Sequence, residues 1–134
     1  MKRFRSFLAE KVEHHVDHFM DYACGHLGIK HPPKIDLIDD KNDAADNKSF
    51  GSYCPSDHTI KVNSVGRHPA DVLRTLAHEL VHHKQNLDGK LNDIEAAGKT
   101  GSDHENEANA LAGVILRHYG KKNPKIFESR SLKD

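Results

Sequence analysis

The sequence lacks tryptophan altogether and has only two cysteines, Cys24 and Cys54. It has no apolar run close to the roughly 20 residues that are needed to span a bilayer. Its first residues, MKRFRSFLAEKVEHH, are basic but lack the apolar core and the small-residue cleavage site of a secretory signal. These absences predict a cytoplasmic protein with both thiols free and no membrane partner.

The chain also lacks a net charge, because 20 lysines and arginines balance 20 aspartates and glutamates. No overall positive field therefore draws nucleic acid or an anionic membrane to the protein, and we expect neither as a partner. The 134 residues suffice for one domain but not for two. Small size and charge neutrality are typical of a cytosolic enzyme of a bacterium or phage.

Hydrophobic periodicity predicts one helix followed by three short strands. Apolar residues recur at three- and four-residue spacing over residues 3–26, which is the pattern of an amphipathic helix. The segment KIDLID (34–39) alternates as a short strand. Two further apolar pieces, SFGSY (49–53) and HTIKVN (58–63), flank the turn residues CPSD. We interpret these two pieces as a hairpin whose second strand has one solvated face.

Two more helices are expected in the second half of the chain. Pro69 suits the first position of one helix, and Gly89 suits its end. The other helix runs from about Ser102 to Tyr119. The elements predict an α+β fold, with a short antiparallel or mixed sheet packed on these two helices and on the N-terminal helix. The single domain (1–134) then consists of the N-terminal helix (1–30), the core (34–119) and the C-terminal tail (120–134).

The helix that begins at Pro69 contains the spacing H-E-x-x-H, formed by His78, Glu79 and His82 within VLRTLAHELVHHKQ. Residues four apart are neighbours on a helix, so both imidazoles can bind one zinc ion (Zn2+) at about 2.0–2.1 Å. Glu79 is rotated to the side of the pair, where it can contact a metal-bound water but is poorly placed to be the third ligand. The pair lies about 160° from the centre of an apolar stripe on the same helix. That stripe, which we expect to face the core, consists of Leu73, Leu76, Ala77, Leu80 and Leu87.

The number of histidines makes an accidental motif an alternative, since the chain has twelve of them. His14 and His18 are also four apart on a predicted helix, but no glutamate follows the first of them and no third ligand is evident. We interpret that pair as part of a solvated helix face. The His78/His82 pair differs from it in the features that follow along the chain.

Catalytic zinc keeps three protein ligands and one open position. The segment SDHENEANALAG offers His104, Glu105 and Glu107 as the third ligand. Glu105 lies about 60° from the centre of the buried stripe of its helix with Asn109 beside it, whereas Glu107 lies about 100° away on the opposite side. We therefore predict Glu105 as the ligand and Asn109 as its supporting partner. Alternatively, Glu105 caps the helix at Ser102, and His104 is then the fallback ligand.

These segments resemble a known family of enzymes. LAHELVHHKQ followed by ENEANALAG is similar to the gluzincins, the zinc peptidases with H-E-x-x-H and a downstream glutamate ligand, and in particular to the minimal gluzincins and the ImmA/IrrE-like small metallopeptidases. In that family the downstream motif is Glu-x-x-Ala followed by Asn or Asp, which matches Glu105, Ala108 and Asn109. The resemblance covers about residues 50–115.

The resemblance implies roles for individual residues. Zn2+ would be bound by His78, His82 and Glu105, with Glu79 as the base, on a small α+β fold with a short sheet and an active-site helix. The family's transition-state stabilising Tyr or His cannot be assigned by the resemblance. Its candidates are His58, His104, His118 and Tyr119.

The predicted function is a zinc-dependent peptidase that hydrolyses a peptide or protein substrate, with a zinc-bound water activated by Glu79. The strand at 58–63 either offers its edge to an extended peptide or is an ordinary core strand. One alternative function is a non-catalytic zinc-binding module, derived from a metallopeptidase, that recognises a partner segment. Another is a structural protein with a fortuitous motif. The tail from residue 121 onward is either a latency segment over the active site or a disordered end.

Overall fold

The structure is a computed structural model that describes residues 2–39, 50–89, 103–124 and 126, with side chains in the first helix from residue 15 onward. The described elements are α1 (Lys2–Leu27), β1 (Lys34–Ile38), β2 (Gly51–Cys54), β3 (Thr59–Asn63), α2 (Pro69–Leu87) and α3 (Asp103–Lys122). Within these ranges, three helices pack with a three-stranded mixed sheet, which confirms the predicted α+β fold. Most of the tail (127–134) and the cap position Ser102 lie outside the described residues.

The element bounds follow from local signals in the sequence. Helix α1 ends where Gly28 adopts a φ of 71°, a left-handed conformation that favours glycine. The amide of Ile29 then donates to the carbonyl of Cys24 at 2.9 Å, which closes the helix end. Strand β1 stops at Ile38, one residue before the predicted end.

The strand order is β1-β3-β2, with β1 parallel and β2 antiparallel to β3. The predicted hairpin is therefore formed by β2 and β3. Of the two alternatives for residues 58–63, the ordinary core strand is confirmed, because β3 is the central strand and is paired on both sides. Among the described strands, β2 and β1 form the two edges of the sheet.

One face of the sheet packs against α2. The strand register places Gly51 and Tyr53 of β2 opposite Val62 and Ile60 of β3. Ile60 and Val62 are buried, and Tyr53 is partly buried against the same core. Alternation along a strand puts these four residues on one face, so this face carries the apolar side chains that the helix covers.

The predicted apolar stripe of α2 faces the core except at its last residue. The side chains of Leu73, Leu76, Ala77 and Leu80 are fully buried. Leu87 is 37% exposed, and its assignment to the core is wrong. It is the C-terminal residue of α2, where the chain leaves the helix through Asp88 and Gly89.

Helices α1 and α3 contact each other through Tyr119. Its buried ring packs edge-on against Phe19 with 5.0 Å between ring centroids. Its hydroxyl is 2.7 Å from Nδ1 of His18. His18 is exposed, as predicted, and its contact with Tyr119 also links α1 to α3. The side chain of His14 lies outside the described part of the chain.

The two thiols are free, as predicted, with Cys24 buried and Cys54 partly buried. Burial raises the pKa of the Cys24 thiol above 9.0. Among the described residues, no helix combines the length and the apolar character that crossing a bilayer requires.

Candidate metal centre

Helix α2 carries the H-E-x-x-H residues, and three features of its sequence stabilise its first turn. His68 precedes the helix in an extended conformation, and its Nδ1 accepts a hydrogen bond from the amide of Ala70 at 3.0 Å. Pro69 occupies the first turn, where its missing amide hydrogen costs nothing. Asp71 adds a negative charge at the positive end of the helix dipole.

His78 and His82 lie side by side and face one carboxylate of α3. Nε2 of His78 is 2.7 Å from Oε1 of Glu105, and Nε2 of His82 is 3.1 Å from Oε2 of the same residue. The two imidazole rings are 4.9 Å apart and nearly perpendicular. The three ligand atoms lie within 4.8 Å of one another, and the three side chains are 12–21% exposed. The group is therefore compact and reachable from solvent.

Of the three candidates for the third ligand, the structure brings Glu105 to the two histidines. Glu107 instead accepts a hydrogen bond from Nε2 of Gln85 at 2.7 Å. His104 contributes its backbone carbonyl to the same nitrogen at 3.0 Å. Both alternatives thus take part in holding Gln85.

Gln85 determines which nitrogen of His82 faces Glu105. The amide nitrogen of Gln85 points at two acceptors, so its Oε1 must point the other way, towards Nδ1 of His82 at 2.9 Å. Oε1 can only accept, which places a proton on Nδ1 of His82. In the neutral ring, the lone pair of Nε2 then points towards Glu105.

The arrangement of His82 and Glu105 fits a cation. A nitrogen lone pair and a carboxylate oxygen 3.1 Å apart repel each other unless a second proton or a metal cation lies between them. Donor atoms bound tetrahedrally to zinc at about 2.0–2.2 Å are about 3.3 Å apart. The observed separations of 2.7 and 3.1 Å are within about 0.6 Å of that spacing. Two imidazoles and a carboxylate are also the donor set of many catalytic zinc sites.

His78 is held in a form that can bind a metal. Burial lowers its pKa below 6.5, while the Glu105 carboxylate acts in the opposite direction. The side chain of Asn109 hydrogen-bonds to the ring and also opposes the lowering. Asn109, which was predicted as the supporting partner of Glu105, thus hydrogen-bonds to His78.

Glu79 lies beside the three ligands but outside their group. It is only 8% exposed, and burial raises its pKa from 4.5 to about 7, with the Glu105 charge as the second cause. A carboxyl group with a pKa near the working pH is suited to accept and return a proton. Gly51 faces this carboxyl group, because a Cβ at Gly51 would be 3.5 Å from Oε2 of Glu79.

Strand β2 directs part of its main chain away from the sheet next to Glu79. The amide of Asn63 donates to the carbonyl of Phe50 at 2.7 Å. In an antiparallel pair the bonding direction alternates, so the amide and carbonyl of Gly51 and of Tyr53 point away from β3. The outward edge of β2 therefore begins at the residue that faces Glu79.

The third histidine of α2, His83, was not singled out in the sequence. It is fully buried, its Nδ1 is 2.7 Å from the hydroxyl of Tyr53, and its Nε2 is 2.7 Å from the carbonyl of His31. Nε2 must donate to the carbonyl, so Nδ1 accepts from the tyrosine. The signal in the sequence was its position three residues after Leu80, on the buried side of the helix.

Three candidates for the transition-state stabilising side chain, His58, His118 and Tyr119, contact residues outside the ligand group. The ring of His58 is 5.2 Å from that of His83, and the ring of His118 is 6.1 Å from that of His26. Tyr119 is buried between α1 and α3.

No family model matches this chain, and neither a curated protein nor a solved structure is significantly similar to it.

Proposed function

We propose that this protein is a gluzincin-type zinc-dependent peptidase in which Glu79 is the general base. The observation that carries the proposal is the convergence of His78, His82 and Glu105, with a buried carboxyl group beside them whose pKa is about 7. A structural zinc site has no use for such a carboxyl group, whereas a hydrolytic site needs it.

Five side chains would bind and position the metal in this proposal. His78, His82 and Glu105 hold Zn2+, and Asn109 and Gln85 orient the two imidazoles. When bound, zinc supplies a Lewis acid that polarises the scissile carbonyl and lowers the pKa of water to about 7.

Glu79 moves the proton during hydrolysis. It accepts a proton from the attacking water as the water oxygen bonds to the carbonyl carbon. It then gives this proton to the amide nitrogen, which leaves as an amine when the C–N bond breaks. Positioned acid–base groups of this kind accelerate reactions by about 10²- to 10⁴-fold.

The edge of β2 supplies a binding mode for the substrate. An extended peptide can pair with the outward amide and carbonyl of Tyr53, two residues after Gly51, and so pass Glu79. Main-chain pairing of this kind depends little on sequence, which suits a peptidase. Zero net charge and two free thiols support a cytoplasmic location for the enzyme.

The test combines metal analysis with a single conservative substitution. Protein loaded with zinc and freed of excess metal should hold one zinc per chain, and a His78→Ala variant should lose it. Glu79→Gln should keep the zinc but lower the cleavage rate of an unbiased peptide pool by at least about 100-fold. A Glu79→Gln variant that cleaves at the wild-type rate would refute the assignment of the base.

The same experiment separates the peptidase from the alternative functions. A wild-type protein that binds zinc but cleaves no peptide favours a non-catalytic zinc-binding module. A protein that binds no zinc leaves only a fortuitous motif. Replacing His104 by Ala is the matched control, because its side chain is not in the ligand group and zinc binding should persist.

A further inference from the structure

Arg67 lies in the segment between β3 and α2, contacts Thr75, which is one helical turn before Glu79, and has no role in the metal centre. Its Nη1 donates to Oγ1 of Thr75 at 2.8 Å, and its Nη2 donates to the backbone carbonyl of Asp71 at 3.2 Å. Its guanidinium carbon lies 4.5 Å from the centre of the Phe50 ring. Phe50 is the residue directly before β2. These three contacts fix the plane of the guanidinium group.

Among the described residues, Arg67 is fixed by contacts that do not neutralise its positive charge. Its hydrogen-bond acceptors are a hydroxyl and a carbonyl, and its third partner is an aromatic ring. Among the described residues, no carboxylate forms an ion pair with it, and Asp71 acts on it only at longer range, raising its pKa. Burial, the larger influence, lowers that pKa below its ordinary value, because removing the charged group from water is costly. Arginine has five N–H donors, so this side chain retains donors for a further acceptor.

The position of Arg67 relative to Glu79 follows from Gly51 and Thr75. A Cβ at Gly51 would overlap Cγ2 of Thr75 and lie close to Glu79, so these three residues are in mutual contact. Thr75 is four residues before Glu79 on α2, which corresponds to about 6 Å along the helix axis. An extended peptide advances about 3.3 Å per residue. The substrate residue whose side chain reaches Arg67 is therefore about two residues from the peptide bond beside Glu79.

We propose that Arg67 is a specificity determinant that binds a carboxylate of the peptide substrate about two residues from the scissile bond. This inference rests on the proposed peptidase function. The carboxylate is either the side chain of an aspartate or glutamate or the C-terminal carboxylate of a short peptide. A planar guanidinium matches a carboxylate with two parallel hydrogen bonds, which a lysine at this place does not offer. Phe50, 40% exposed, covers one face of the group and supplies apolar surface for the methylene groups of the bound side chain.

The experiment compares acidic peptides with their uncharged isosteres. One series of quenched fluorescent peptides carries Glu or Gln at each position from three residues before to three residues after the cleaved bond. A second series carries a free carboxylate or an amide at a C-terminus placed at the same distances. Wild-type protein should cleave the acidic member about tenfold faster in kcat/KM at one position, as one charge-assisted hydrogen bond predicts. The series in which this preference occurs identifies the source of the carboxylate.

Variants assign the preference to Arg67. The ratio between the acidic and neutral peptides should fall to about one in Arg67→Gln and should be intermediate in Arg67→Lys, because lysine keeps the charge without the planar fork. Arg74→Gln is the matched control, since it removes one positive charge from an exposed position of α2. It should keep the wild-type ratio. A wild type without any preference, or a preference that survives in Arg67→Gln, would overturn the proposal.

A binding measurement keeps this inference separate from the proposed activity. Zinc-loaded Glu79→Gln protein is titrated with fluorescein-labelled peptides of the same two series, and fluorescence anisotropy reports their affinity. The acidic peptides should bind more tightly than the neutral ones, and adding Arg67→Gln should abolish this difference. That result supports the carboxylate site even if no peptide is cleaved. Equal binding of acidic and neutral peptides refutes the site even if cleavage occurs. The melting temperature of Arg67→Lys checks that loss of the Thr75 contact leaves the fold intact.

Discussion

His82 and His83 are adjacent in the sequence, yet their side chains lie on different sides of α2. Nε2 of His82 faces Glu105 at 3.1 Å, at the surface that is open to solvent. His83 is fully buried and connects the hydroxyl of Tyr53 with the carbonyl of His31. One helical step of about 100° thus separates a candidate metal ligand from a residue that holds the sheet against the helix.

We therefore predict opposite phenotypes for the two histidines. His83→Leu leaves the hydroxyl of Tyr53 and the carbonyl of His31 without this partner, and it should lower the free energy of unfolding by about 2 to 4 kcal/mol. His82→Leu should change the stability of the metal-free protein far less but abolish zinc binding. Urea unfolding of metal-free protein and zinc titration of each folded variant measure the two effects. Loss of zinc binding in a folded His83→Leu variant would contradict this separation.

The sequence predicted what depends on the geometry of a single helix. Rotation by about 100° per residue was enough to place His78 and His82 together and Glu79 to one side. It also favoured Glu105 over Glu107, and the structure brings Glu105 to the histidines. These relationships are local, so the periodicity of the chain contains them.

The remaining features depend on contacts between distant segments. His83 bonds to residues 30 and 52 positions earlier in the chain, and Gln85 bonds to residues 19 and 22 positions later. The edge position of β2 likewise results from the parallel pairing of β1 with β3. No periodic pattern encodes such pairings, which explains why the sequence left open whether β3 is an edge strand or a core strand.

Gln85 should act on zinc through His82. Gln85→Leu removes the acceptor that keeps the proton on Nδ1 of His82, so we expect zinc affinity to fall by about 10- to 100-fold. Gln85→Glu combined with Glu107→Gln keeps an acceptor for His82 and a donor–acceptor pair between positions 85 and 107, and should restore most of the affinity. Nitrogen chemical shifts of the His82 ring, measured by NMR in the metal-free protein, should show a mixed tautomer only in Gln85→Leu.

Asn86→Ala is the control for this prediction. Asn86 is the next residue of α2, and its amide donates to the hydroxyl of Tyr53 and the carbonyl of Pro55 rather than to the histidines of the ligand group. Its loss should lower stability without changing zinc affinity. A Gln85→Leu variant that binds zinc as tightly as Asn86→Ala would show that the Gln85 contact is only structural.

Gly51 should be required for the close approach of β2 to α2. A Cβ at this position would overlap Cγ2 of Thr75, so we expect Gly51→Ala to lower the free energy of unfolding by about 1 to 3 kcal/mol. Thr75→Ser removes the overlapping methyl group and keeps the hydroxyl that holds Arg67. The double variant should therefore recover at least about 1 kcal/mol relative to the sum of the single effects in a double-mutant cycle.

Gly113→Ala provides the matched comparison on α3. A Cβ there would meet no atom within 4 Å, and the position is helical, so alanine should stabilise the protein by about 0.5 to 1 kcal/mol. Opposite signs for the two substitutions would attribute the cost at Gly51 to its contact with Thr75. If both variants were equally stable, the strand would have room to move away from the helix.

Glu79 should make the metal-free protein less stable as pH rises. Its pKa is about 7 in the folded protein and 4.5 ordinarily, so between these values the folded state binds more protons than the unfolded state. The free energy of unfolding contributed by this group is then fully present below pH 4.5 and is lost as pH rises through 7. The difference between the two pKa values corresponds to about 3 kcal/mol in the free energy of unfolding, of which about 2 to 3 kcal/mol is lost between pH 5 and pH 8.

The comparison with Glu79→Gln isolates this contribution. Burial lowers the pKa values of His78 and His83, so those groups act with the opposite sign and raise stability as pH increases through their titration range. Both histidines are present in wild type and variant, and their effects cancel in the difference. Urea unfolding in the presence of a chelator should show wild type losing stability relative to Glu79→Gln from pH 5 to pH 8. A constant difference would mean that the Glu79 carboxyl group is solvated in the folded protein, and its suitability as a base near neutral pH would then have to come from bound zinc alone.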